Sequence, residues 1–72
     1  MNIRQVEIFH AVMTNGTASR AADVLRISQP AVSKTIQELE REIGFLLFHR
    51  VKGRMTPTSE GRLFFREVRR RS

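Results

Sequence analysis

The 72-residue sequence contains no cysteine, tryptophan or tyrosine. Because cysteine is absent, neither a disulfide nor a thiolate metal site can stabilise the small core that this length allows. Because tyrosine and tryptophan are absent and the five phenylalanines fall at core spacings, the chain lacks the stacking side chains typical of single-stranded RNA binders. No apolar run approaches the length of a membrane span, and the first residues do not form a signal peptide.

Signatures of catalysis are missing as well. The sequence has no Gly-rich phosphate loop, no metal-ligand spacing and no Ser–His–Asp arrangement with a pocket to hold it. The two histidines, His10 and His49, are interpreted as surface or boundary residues. We therefore expect neither an enzyme nor a metal or cofactor site.

Positive charge is present in excess. Thirteen Lys and Arg residues stand against seven Asp and Glu, which gives a net charge of +6. From Arg50 onward, eight basic residues stand against two acidic ones, so this part of the chain holds the whole excess. Such a segment predicts a polyanionic partner, nucleic acid first and an anionic membrane second, with a merely solvated basic surface as the alternative.

Residues 28–43 are predicted to form one helix with two different faces. Ser28 is a good N-cap, Pro30 is tolerated only in a first turn, and Gly44 is a stop signal. One face is an apolar stripe at helical spacing, formed by Val32, Ile36, Leu39 and Ile43. The other face is polar and contains Pro30, Lys34, Gln37 and Arg41, with Ser33 on its flank. Taken alone, this is an ordinary amphipathic surface helix.

Two shorter helices are expected before it. The first runs from Asn2, as its cap, to about Asn15, and its apolar face is Ile3, Val6, Phe9 and Met13, widened by Ile8 and Val12. The second runs over residues 17–25 with Ser19 as its N-cap, and its small-residue face is Ala18, Ala21, Ala22 and Leu25. Three residues then lead into the third helix. This is the layout of a helix-turn-helix over about residues 18–37, whose second helix lies in the major groove.

Residues 48–50 and 55–56 are predicted to pair as two short strands around a loop at 51–54 that contains Gly53. A two-stranded ribbon is marginal alone, so it must lean on the helices. We interpret it as a wing over about residues 48–57. Its tip offers long cations for phosphates or a narrow minor groove, namely Arg50, Lys52 and Arg54, unless these belong to a merely solvated loop.

A fourth helix is expected from residue 59, with Thr58 as its N-cap. Its apolar positions are Leu63, Phe64, Phe65 and Val68. Because two adjacent phenylalanines cannot share one face, one is expected to pack on the domain and the other on a partner. The chain ends in three arginines and a serine without a stop signal, so we expect a truncated helix and a fragment of a longer protein.

Together these segments resemble the N-terminal domain of the LysR-type transcriptional regulators of bacteria. The resemblance covers essentially the whole chain without gaps and includes the segments SQPAVSKTIQELE, IGFLLFHR and PTSEG. Two further segments, IFHAVMTNG and FHRVKGRMTPT, look most like the branch with the lysine-biosynthesis activator and the opine-catabolism regulators.

The resemblance implies a mainly α winged helix-turn-helix, with three helices and a two-stranded wing over residues 1–58. Residues 59–72 would begin a linker or dimerisation helix. It implies sequence-specific binding to double-stranded DNA and regulation of transcription as a dimer or tetramer, in the bacterial cytoplasm at the nucleoid. The operator would be a pseudo-palindrome with half-sites in successive major grooves. A small-molecule effector would bind only a C-terminal domain that is absent here.

The resemblance also assigns roles to residues. Base edges would be contacted by Gln29, Pro30, Ser33 and Lys34. Phosphates or the minor groove would be contacted by Arg4, Ser28, Arg50, Lys52, Arg54 and Thr58. A homodimer would form through the fourth helix, weakened by truncation, with Phe64, Phe65 and Val68 at its interface.

Two positions depart from the family pattern. Lys34 stands where the family often has arginine, which keeps the charge but loses the bidentate fork. Pro57 replaces a commonly apolar strand residue and is expected to shorten the second strand of the wing.

The main alternative is a winged-helix module that binds protein without sequence-specific DNA binding. It predicts an uncharged or acidic recognition face and wing, which is the opposite of this sequence. A binder of RNA or of a membrane surface, driven by the arginine-rich end, is less favoured because the stacking aromatics are missing.

Overall fold

The computed structural model describes residues 1–52 and 54–70. The elements in chain order are α1 (Ile3–Asn15), α2 (Ala18–Leu25), α3 (Gln29–Ile43), β1 (Phe48–Val51), β2 (Arg54–Pro57) and α4 (Ser59–Arg70). The two strands form one antiparallel sheet, the wing. This architecture confirms the predicted fold class. The predictions for Gly53 and for the end of the arginine cluster lie outside the described residues. No described helix is long and apolar enough to cross a bilayer.

The helix α1 begins at a capping box, which confirms the predicted cap. The Asn2 side chain accepts the Gln5 backbone N–H at 2.8 Å, and the Gln5 side chain accepts the Asn2 N–H at 3.0 Å. Gly16 ends the helix in the left-handed region, with φ +85°. Gln5 also donates to Glu42 of α3, and this bond, with one from the N-terminal ammonium, holds the pKa of Glu42 below its ordinary value.

The core lies between the first three helices and the wing. Its largest fully buried side chains are Phe9, Phe48, Ile8, Ile36, Leu39, Leu47, Val12 and Val32. The predicted stripe of α3 is confirmed, with Ile43 half-buried at its end. One prediction for α1 was wrong: Ile3 is 79% exposed, because it lies in the first turn and lines an open surface groove rather than the core.

The helix α2 is capped by Thr17. The prediction that Ser19 is its N-cap was wrong. The Thr17 hydroxyl accepts the Arg20 N–H at 3.1 Å, while Ser19 lies inside the first turn with its side chain exposed. The small-residue face is confirmed: the three alanines are buried and Leu25 is half-buried.

Replacing Thr17 with alanine should lower the free energy of unfolding by about 1 kcal/mol, because the N–H that it caps loses its partner. Ser19→Ala is the matched control and should change stability by less than about 0.5 kcal/mol, since an exposed alanine suits a helix. Urea denaturation followed by circular dichroism measures both. An equal loss in the two variants would contradict the assignment of the cap.

The corner between α2 and α3 is closed by the chain itself. Arg26 adopts the left-handed region with φ 59°, and Ile27 donates to the carbonyl of Ala22 at 3.0 Å, as in a Schellman motif. Ile27 also packs against the core. Ser28 then caps α3 by accepting the Ala31 N–H at 3.2 Å. The two helices are thus joined by three residues, as predicted.

The strands pair from Phe48 opposite Pro57 to Val51 opposite Arg54. The prediction that Pro57 shortens the second strand was therefore wrong. The Phe48 N–H donates to Glu40, and the Leu47 carbonyl accepts from Thr58, so this end of the ladder needs no N–H from residue 57.

The helix α4 closes the other side of the core. Thr58 caps it, because its hydroxyl accepts the Gly61 N–H at 2.8 Å. Phe64 and Phe65 both pack on Phe9, with ring centroids 5.2 and 6.1 Å away. The prediction that one phenylalanine packs on the domain and the other on a partner was therefore wrong, because both rings contact the same buried ring.

Candidate nucleic-acid interface

The first two turns of α3 present a polar outer surface. Gln29, Pro30 and Lys34 are exposed and Ser33 is half-buried. A spacing of four places Gln29 beside Ser33 and Pro30 beside Lys34. Because the opposite face of α3 is fully buried, the core holds this surface in place. The structure thus brings the four predicted base-edge residues together on one surface, which we call the recognition face.

The N-terminus of α3 offers less to a phosphate than a typical helix start. Pro30 has no N–H, the Ala31 N–H is bonded to Ser28, and the Val32 N–H bonds the Ser28 carbonyl at 3.2 Å. In this turn, the Gln29 N–H is the donor left for an anion, together with the positive end of the helix dipole. The Ser28 hydroxyl already serves as the cap, so Ser28 would contribute to a phosphate contact through its backbone and by setting where α3 begins.

Two cations extend from the end of the wing. Val51 pairs with Arg54, and Lys52 turns the chain with φ 51°, so Lys52 and Arg54 flank the tip. Both are exposed, and no ion pair engages either of them within residues 1–52 and 54–70. Their side chains are therefore available to phosphates.

Arg50 differs from these two cations. It lies opposite the buried Met55, and its Nη1 atom is 3.6 Å from Oε1 of the buried Glu40. The Arg50 side chain remains 34% exposed, so part of its guanidinium can still meet solvent or a phosphate. Sequence reasoning missed this pairing. A signal was present, because Glu40 occupies the same helical face as Ile36 and Ile43.

Thr58 is unsuited to the phosphate contact predicted for it. The residue is 5% exposed, and its hydroxyl donates to the Leu46 carbonyl at 2.7 Å while accepting from Gly61. Thr58 joins the wing to α4, and we correct its role to a structural one. Arg4, in contrast, is exposed in the first turn of α1.

The residues predicted for the dimer interface are half-buried in this chain. Phe64 and Phe65 are packed on Phe9, and Val68 lines the open apolar groove beside α1. Leu63 is the large apolar side chain of α4 that is most exposed, at 59%. Within the described residues, no group of histidine, aspartate and glutamate could hold a metal ion.

A tight helix-turn-helix, an exposed polar face on its second helix and a basic two-stranded wing together define a winged helix-turn-helix DNA-binding domain. The sequence profile of the bacterial regulatory helix-turn-helix proteins of the lysR family matches residues 3–62. The chain belongs to this family.

The transcriptional activator protein LysR of Escherichia coli K12 is 50% identical over 70 residues, which are 97% of this chain and 22% of that protein. The regulatory protein NocR of Agrobacterium fabrum is 49% identical over 67 residues, 93% of this chain and 22% of that protein. These relatives confirm the predicted family and the likeness to the lysine and opine regulators. The chain therefore spans less than a quarter of the length of either relative.

A solved structure of the CbnR DNA-binding domain in complex with DNA superimposes on this chain with a TM-score of 0.93. It is 34% identical, and the match covers 97% of this chain and 80% of that one. The fold of this chain is therefore similar to that of a DNA-binding domain whose structure was solved in complex with DNA.

Proposed function

We propose that this chain binds double-stranded DNA sequence-specifically, with the recognition face in the major groove and the wing on the neighbouring backbone or minor groove. The observation that carries the proposal is the exposed polar recognition face, backed by the fully buried Val32, Ile36 and Leu39 of α3. Exposed cations at the wing tip and the net charge of +6 supply attraction to phosphates.

Direct readout would come from the recognition face. The Gln29 amide, at the first position of α3, can bond adenine N6 and N7 as a pair. Ser33 can donate or accept at a base edge, and Lys34 can reach guanine O6 and N7 or a phosphate. Pro30 offers an apolar surface beside them.

Phosphate contacts would fix the position of the domain on the duplex. We assign them to the Gln29 N–H at the start of α3, to Lys52 and Arg54 on the wing, and to the exposed Arg4. Arg50 would add a contact through the part of its guanidinium that Glu40 leaves accessible.

The domain would act within a dimeric or tetrameric transcription regulator of the bacterial cytoplasm, with residues 1–58 as the DNA-contacting unit. Residues 59–72 would begin a linker helix that pairs with its copy, where Leu63 and Val68 offer apolar surface. Such a dimer reads half-sites in successive major grooves. Effector binding belongs to the rest of the regulator.

A titration of the ¹⁵N-labelled chain with a duplex selected from random DNA tests the interface. We expect the largest amide shifts at residues 28, 29 and 31–34 and at Lys52 and Arg54, and small shifts at groove residues such as Val6. Shifts that leave α3 unaffected would contradict the assignment of the recognition face.

A further inference from the structure

The carboxylate of Glu40 is buried at the junction of α3 and the wing. The residue is 6% exposed, and its Oε2 atom accepts the N–H groups of Leu47 at 2.8 Å and Phe48 at 3.2 Å. Its Oε1 atom faces the Arg50 guanidinium at 3.6 Å. A buried carboxylate is unfavourable unless its oxygens are bonded, and here both are engaged with the start of the wing.

The three partners of Glu40 lie at the base of the wing. Leu47 immediately precedes β1, Phe48 is its first residue, and Arg50 lies inside it. On the other side, the Leu47 carbonyl accepts the Thr58 N–H at 3.0 Å, so this base is held from two directions. A two-stranded ribbon has little rigidity of its own, so these anchors and the buried Leu47, Phe48 and Met55 set its direction.

We propose that Glu40 is a positioning residue for DNA binding: it fixes the direction of the wing relative to the recognition face. This inference rests on the function proposed above. The helix α3 links the two DNA-contacting surfaces, because it carries the recognition face at its start and, near its end, the Glu40 that holds the wing. With the recognition face in the major groove, the wing cations reach the DNA phosphates only if the base of the wing is held at the correct angle to α3.

A small rotation is sufficient to break contacts at the tip. Four residues of β1 span about 10 Å, so a turn of about 15° at the base displaces the tip by about 2.5 Å. Charge-assisted hydrogen bonds tolerate far less than this displacement. Arg50 would be affected directly, because Glu40 pairs with its partly exposed guanidinium.

The variant Glu40→Gln tests the proposal with nearly unchanged size. The amide can accept through one oxygen only, and its NH₂ group opposes a backbone donor or the Arg50 guanidinium. Glu38→Gln is the matched control, because it removes the same charge from the same helix. Loss of a negative charge alone should tighten binding to DNA. We expect about tenfold weaker binding of a selected duplex by Glu40→Gln, and equal or tighter binding by Glu38→Gln.

A double-mutant cycle separates positioning from general damage to the fold. Arg54→Ala should cost about tenfold in the wild-type background and less than about twofold with Glu40→Gln, because the tip is already displaced. Gln29→Ala should keep its full effect in both backgrounds. A domain that is merely destabilised would leave both ratios unchanged. A full Arg54 effect in the Glu40→Gln background would overturn the proposal.

A second readout needs no DNA. Residual dipolar couplings of the wing amides, referred to those of α3, should change in Glu40→Gln and stay constant in Glu38→Gln. Unchanged couplings in Glu40→Gln would overturn the positioning proposal, whatever the DNA measurements show. A wild-type chain without sequence preference would instead count against the proposed function alone. If Glu40→Gln does not fold, Glu40→Asp keeps the charge, withdraws it by one methylene, and is measured in the same two ways.

Discussion

Replacing Gly61 with alanine is expected to remove a large part of the stability of the chain. A Cβ atom at this position would clash with the carbonyl oxygen of Leu47 and lie 3.1 Å from its carbon. Leu47 cannot retreat, because its N–H bonds Glu40 and its carbonyl accepts from Thr58. We expect a loss of roughly 3 kcal/mol or more, against a total of roughly 4–10 kcal/mol for a domain of this size.

Gly16→Ala is the control for this prediction. Nothing lies within 4 Å of a Cβ at Gly16, so the cost there comes only from its left-handed backbone at φ +85°. That cost should be about 1 kcal/mol. Urea denaturation followed by circular dichroism compares the two. If Gly61→Ala were as stable as Gly16→Ala, the close approach of α4 to the base of the wing would be wrong.

Gln29→Ala is expected to reduce sequence preference and leave general attraction to DNA. The amide is exposed at the start of α3, so its loss leaves the fold intact and one base edge unread. Binding of the selected duplex should weaken by roughly 1–3 kcal/mol, with little change on a scrambled duplex. Fluorescence anisotropy on both duplexes measures the difference.

Arg54→Ala is the companion variant, because it removes a phosphate contact instead of a base contact. It should weaken binding to both duplexes alike and reduce the slope of log K against log salt by about one. The role assigned to Gln29 would be wrong if Gln29→Ala weakened every sequence equally, as Arg54→Ala is expected to do.

The helix boundaries could be predicted because their signals are local. Asn2, Ser28 and Thr58 cap the helices that follow them, and Gly16 and Gly44 end α1 and α3 in the left-handed region. The apolar stripe of α3 and the small-residue face of α2 likewise follow from helical spacing. The cap at Thr17 was missed because two candidates stand two residues apart, and only the backbone distinguishes them.

The remaining features depend on contacts between distant segments. Phe64 and Phe65 both pack on the domain because the ring of Phe9, near the other end of the chain, is within contact of both. Pro57 stays in its strand because Glu40 and Thr58 take the bonds at the end of the ladder. Hydrophobic spacing describes one helix or strand at a time. It cannot show which residue of another helix or strand a given side chain contacts.

The central claim is direct readout by the recognition face. Its most direct test is fluorescence anisotropy of the purified chain on a pseudo-palindromic duplex selected from random DNA and on its scramble, titrated across salt. We predict a preference for the selected duplex that persists at physiological salt, because base contacts do not depend on counterion release. Equal binding to both duplexes that vanishes as salt rises would contradict the claim and reduce the interaction to phosphate attraction.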